Sequence, residues 1–126
     1  MANILLLEPD NALANTYIKA LEQIGHDVAC CATAEEALQV LDDFRPHLVV
    51  LELQLTGHDG IEFLHELRSY PDGQNMPAVV NTNLPPQTLR PLLAVLDRDL
   101  GVKVCLYKPR TTLQQLIRVV KEQARA

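Results

Sequence analysis

Five short apolar runs alternate with amphipathic segments along this chain, and that alternation leaves few folds open. The runs are NILLLE (3–8), DVACCA (27–32), HLVVLEL (47–53), PAVVNT (77–82) and VKVCLY (102–107), rich in Val, Ile and Leu as buried strands are. Between and after them the apolar residues recur at helical spacing. Leu13, Tyr17, Ala20, Leu21 and Ile24 share one face, as do Ala34, Ala37, Leu38 and Leu41; Ile61, Leu64 and Leu67; Leu89, Leu92, Leu93 and Leu96; and Leu113, Leu116, Ile117 and Val120. Punctuation agrees: Gly25 and Gly101 follow helical patterns, Thr33 with Glu36 forms a capping-box signature, and Pro46 and PDG (71–73) close two more helices. Pro91 fits only a fourth helix that starts near Gln87 or Thr88, because proline is tolerated in a first turn and not in an interior.

Five βα units predict an α/β fold, a doubly wound parallel sheet with five helices on its two faces, since parallel strands need crossover connections. The first and third runs are nearly all apolar, which suits central strands; Asp27 and Lys103 place the second and fifth at the edges. A flavodoxin-like strand order, 2-1-3-4-5, follows. In that order Cys30 and Cys31 lie at the opposite edge from Cys105, so an internal bridge is excluded, and without CxxC spacing the three cysteines are expected reduced and packed in strands. The 126 residues fit one domain, 1–126.

Composition removes several function classes. No apolar run approaches the roughly 20 residues that span a bilayer, and no secretory leader is apparent, so a cytoplasmic protein is expected. A net charge of −5 without a Lys/Arg cluster disfavours nucleic acid. No GxGxxG, Walker-type loop or Gly-flanked Ser nucleophile occurs, and His58 and His65 lack the HExxH spacing of a zinc site. No enzyme is predicted.

In open α/β sheets the site lies beyond the carboxyl ends of the strands, where strand order reverses. That rule selects Glu8 and Asp10 after strand 1, Glu52 ending strand 3, Thr82 after strand 4 and Lys108 after strand 5. With these residues in view, ILLLEPDN, LVVLELQLTGHDG, PAVVNTN and CLYKP together resemble the receiver domain of two-component response regulators, from Asn3 to about Ala124. The resemblance implies an Asp ending strand 3 as phosphoryl acceptor, paired acids after strand 1 holding Mg²⁺, a Thr or Ser ending strand 4, and a Lys followed by a cis-bonded Pro after strand 5. Thr82, Lys108, Pro109, Asp59 and Gly60 fit that pattern.

Three positions depart from it. Glu52 stands at the acceptor, Pro9 replaces the second paired acid and leaves Glu8 alone, and Cys105 takes the place of the aromatic residue that changes rotamer on phosphorylation. Glu is longer than Asp by about 1.5 Å, and a displacement of about 1 Å in a reacting group can cost on the order of 100-fold in rate. Mg²⁺ demands near-octahedral oxygen donors, and Pro9 supplies no carboxylate. The Mg²⁺ site is therefore expected to be lost, with no cofactor in its place. Glu8, Asp10 and Glu52 form a conceivable shifted trio, but Asp10 or Asn11 is better placed to cap the helix beginning near Ala12. Glu52 is expected to pair with Lys108 in a semi-buried pocket. Tyr107, on the same side of strand 5 as Cys105, either fills the vacant aromatic role on the face formed by helix 4, strand 5 and helix 5, or simply packs.

The reading that follows is a pseudo-receiver, a stand-alone signalling module that binds a protein partner such as a sensor kinase or downstream effector without phosphorylation, possible also as a homodimer. A working phospho-receiver using Glu52 or Asp10, and a flavodoxin-like anion binder using Lys108 and Thr82, are the alternatives.

Overall fold

A computed structural model describes residues 2–124. Strands β1 (Asn3–Leu7), β2 (Asp27–Cys31), β3 (Leu48–Leu51), β4 (Ala78–Thr82) and β5 (Val104–Tyr107) form one parallel sheet in the order β2-β1-β3-β4-β5. The topology is the predicted flavodoxin-like one. Side chains alternate between two cores. Leu5, Leu7, Val49, Leu51, Ala78 and Val80 face helices α2 (Ala34–Phe44) and α3 (Gly60–Ser69), together with the fourth helical segment. Ile4, Leu6, Leu48, Val50 and Val79 face α1 (Asn11–Gln23) and α5 (Leu113–Gln123). Burial on both faces explains why the central runs show no polar alternation, and each fully buried Leu or Val contributes about 1.5–3 kcal/mol.

The helices begin where side-chain acceptors meet unpaired N–H groups. Asp10 caps α1 by accepting from the Leu13 N–H at 3.0 Å, the expected role. Asp59 with Glu62, and Thr112 with Gln115, close full capping boxes on α3 and α5. At α2 the box is only half formed. Thr33 accepts from the Glu36 N–H, while the Glu36 carboxylate accepts from the Thr33 hydroxyl instead of its backbone.

The fourth helical segment, α4, starts at Pro86, one residue before the expected Gln87, and is irregular: it consists of a helical turn (Pro86–Leu89), a 3-10 turn (Arg90–Leu92) and a second short helix (Leu93–Arg98). Pro86 at the first position is tolerated because its missing N–H would be unpaired there, whereas Pro91 falls inside and breaks the ladder. The break rotates the predicted apolar face, so Leu89 and Leu96 are buried while Leu93 is 41% exposed. Ile24 and Leu113, at helix ends, are also exposed. Gly101 follows α4 with a positive φ of 67°, as a helix stop requires.

At the opposite end from the strand carboxyl termini, the Arg68 guanidinium staples three segments. Its Nε donates to the Leu100 carbonyl and its Nη1 to those of Gly73 and Met76, at 2.9, 2.7 and 2.6 Å. No helix of the described residues is long and apolar enough to cross a membrane.

Candidate functional site

Register brings the acids together. The Glu8 N–H donates to the Cys31 carbonyl and the Glu52 N–H to that of Leu7, both at 3.0 Å, so the two residues emerge side by side just beyond β1 and β3. Thr82 ends β4 opposite Tyr107, and Lys108 follows β5. All four polar side chains turn inward: Glu8 and Glu52 are each 3% exposed, Thr82 is fully buried, and only 6% of the Lys108 side chain reaches solvent.

Lys108 is the hub. Its ammonium lies 2.9 Å from Glu52 Oε1, the expected pairing, and 2.6 Å from Glu8 Oε1, a bond that sequence reasoning missed when it left Glu8 alone. Glu52 Oε1 also accepts from the Asn83 N–H at 3.0 Å, and its Oε2 accepts from the Thr82 hydroxyl and from the Gln54 N–H at 3.0 Å. One carboxylate thus receives four donors of three kinds. Glu8 Oε2 accepts from the Asp10 N–H at 3.1 Å, so every oxygen of both acids is engaged. The backbone donors Gln54 and Asn83 carry no side-chain signal, and no sequence pattern could have revealed them.

Electrostatics follow from this wiring. Burial opposes ionisation of Glu52, but the bonds from Thr82, Lys108, Gln54 and Asn83 outweigh it and hold the carboxyl below its ordinary value. Burial likewise opposes the Lys108 charge, and the bonds to Glu8 and Glu52 raise the ammonium above its ordinary value. Two carboxylates around one ammonium leave a net charge of about −1 sealed from water, tolerable only because hydrogen bonds complete the solvation of Glu52.

The remaining predicted residues take other places. Pro9 is exposed and carries no donor atom toward the cluster, and the Asp10 carboxylate is turned to its capping bond. The expectation of a cis-bonded Pro109 is not met, for no cis peptide bond occurs among the described residues. Cys105 packs against the core beneath α4, and burial followed by the charge of Asp97 pushes its thiol up to about 11. Cys31 is pushed to about 11 by burial and Glu36; all three cysteines are free. Tyr107 is half-buried, with the Arg110 guanidinium 5.8 Å from its ring centre.

A second buried polar pair lies behind the cluster. Asn81 Nδ2 donates to the Tyr17 hydroxyl at 3.0 Å, joining β4 to α1, and Asn81 Oδ1 has no partner. The Asn inside the apolar run PAVVNT was the available signal, since a buried amide must find a partner.

Comparison with known proteins agrees with this fold. A family model described as the response regulator receiver domain matches residues 4–121. The transcriptional regulatory protein AfsQ1 of Streptomyces coelicolor is 38% identical over 68 residues, covering 54% of this chain and 30% of that protein. The response regulator protein GraR of Staphylococcus aureus is 29% identical over 106 residues, covering 84% of this chain and 44% of that one. This chain therefore spans less than half the length of these curated relatives. Among solved structures, a CheY-like receiver domain protein from Methanospirillum hungatei superposes with a TM-score of 0.84 at 22% identity, over 98% of this chain and 94% of that one. The chain belongs to the response regulator receiver domain family of two-component signalling.

Proposed function

We propose that this receiver domain works as a pseudo-receiver, a protein-interaction module of signal transduction that does not depend on phosphorylation. One observation carries the reading. The Glu52 carboxylate occupies its own oxyanion cradle, held by Lys108, Thr82 and the N–H groups of Gln54 and Asn83, so the donors that would receive an incoming phosphoryl group are already engaged. The same bonds fix the start of the β4–α4 loop, because Thr82 Oγ1 also accepts from the Leu84 N–H at 3.1 Å. The pocket is thereby held in one state.

The donor set does not fit Mg²⁺. Pro9 offers no carboxylate, Asp10 is committed to α1, both oxygens of Glu8 and of Glu52 are bonded, and Lys108 places a positive charge between the two acids. Among the described residues no three His, Cys, Asp or Glu side chains are placed to share a metal. Phosphoryl transfer relies on positioning and charge neutralisation, and neither is provided for here.

The partner surface we assign is the face of α4, β5 and α5. Leu93 and Val95 on α4 and Leu113 on α5 expose apolar surface, and Tyr107 ends β5 half-buried. A sensor kinase or a downstream effector fits the family's signalling role. The test is incubation with Mg²⁺ and a small phosphodonor followed by intact mass. An unchanged mass is expected; gain of a base-labile phosphate on a carboxylate would restore the phospho-receiver reading.

A further inference from the structure

The N–H groups of Ala2, just before β1, and of Asn3, its first residue, are each held by a histidine. Ala2 N–H donates to His26 Nδ1 at 3.0 Å, and Asn3 N–H donates to His47 Nδ1 at 2.8 Å. The carbonyls of the same residues accept from the Asp27 N–H at 3.0 Å and from the His47 N–H at 2.7 Å. His26 stands just before β2 and His47 just before β3, on either side of β1. Each imidazole supplies an acceptor at a point where the neighbouring strand has not yet begun.

We infer that His26 and His47 form an acid-sensitive latch on the start of β1, closed when both rings are neutral and opened when either takes up a proton. The chemistry leaves no intermediate behaviour, because a protonated Nδ1 is a donor and would face another donor at about 3 Å. Burial holds His26, 8% exposed, below its ordinary value of 6.5, and Lys121 on α5 acts in the same direction. Asp27 follows His26 in the chain, and Arg45, at the end of α2, lies two residues before His47. A folded-state value below the unfolded one means that the His26 contribution is complete above 6.5 and is lost as pH falls through the folded value. His58 works in the opposite sense, since Glu62 at 2.9 Å raises it, so the latch must be read by difference between variants.

The test compares the wild type with the double variants H26N/H47N and H26A/H47A. Asn carries its oxygen one bond from Cγ, where His carries Nδ1, and takes up no proton in this range. Nitrogen NMR of the wild type at about pH 8 should show both rings protonated at Nε2 alone. On acidification below 6.5, protection of the Ala2 amide from exchange should fall by about tenfold per pH unit until the lowered folded-state value of His26 is passed. The Asn variant should keep its protection across the same range, and the Ala variant should lack it throughout. Rings protonated at Nδ1 at about pH 8 would overturn the latch even if neither variant folded. An Asn variant that lost protection in acid as the wild type does would overturn it too.

Discussion

Lys108→Met removes the cluster's one positive charge while keeping most of its volume, and its cost can be worked from the geometry. Glu8 and Glu52 oxygens lie 2.6 and 2.9 Å from the same nitrogen, so those two oxygens are no more than about 5.5 Å apart. At an effective dielectric of about 20 their repulsion is about 3 kcal/mol. Buried pairs that lose one partner are destabilised by about 3–5 kcal/mol, which agrees. Against a total stability of about 5–15 kcal/mol the loss is large. With a urea dependence of about 2 kcal/mol per molar, the unfolding midpoint should fall by about 1.5–2.5 M at about pH 8. Uptake of one proton by the two acids relieves that repulsion. The deficit should therefore shrink as pH is lowered. A deficit under about 1 kcal/mol, or one that does not change with pH, would show that Lys108 is not the counter-charge of a sealed site.

Glu52→Asp alone should remain unphosphorylated by a small phosphodonor, because the second metal-binding acid is still missing; adding Pro9→Asp should produce labelling by intact mass, and equal labelling of both variants would remove the metal argument. Stability should fall at both pH extremes. The Glu52 contribution is present above its ordinary 4.5 and lost as pH drops through the depressed folded value, while that of Lys108 is present below 10.5 and lost as pH climbs through the raised one. Glu52→Gln should flatten the acid limb of a denaturation series. Gly73→Ala should cost at least about 3 kcal/mol or prevent folding, since a Cβ there would sit 2.1 Å from the Leu67 carbonyl oxygen, and a melting point within a few degrees of wild type would contradict the packing.

The five runs were legible because burial on both faces of a parallel sheet leaves unbroken apolar segments, as at LVVL in β3. The site was legible through topology: a rule about strand ends chose Glu8, Glu52, Thr82 and Lys108 before any contact was known. What stayed hidden depends on coordinates. The N–H donors of Gln54 and Asn83 belong to the backbone, which looks the same at every residue. The Glu8–Lys108 bond joins residues a hundred positions apart, and only the sheet order brings them together. Pro91 could be read as the beginning of a helix or as its interruption, and Pro86, one turn earlier, settled which. His26 belonged to no motif and His47 only headed the run HLVVLEL, and three-dimensional placement alone set their rings against Ala2 and Asn3.

The ring of Pro91 gives the proposed docking face a joint. The helical ladder passes from Pro86–Leu89 to Leu93–Arg98 only through the 3-10 turn Arg90–Leu92, and each piece is shorter than any helix that persists unaided in water. Leu89 and Leu96 anchor the two halves separately, one pin apiece. Local opening should therefore start here, with rapid amide exchange between Arg90 and Val95 while β1 and β3 stay protected. A surface hinged in this way can remould itself to a visitor without disturbing the sheet below.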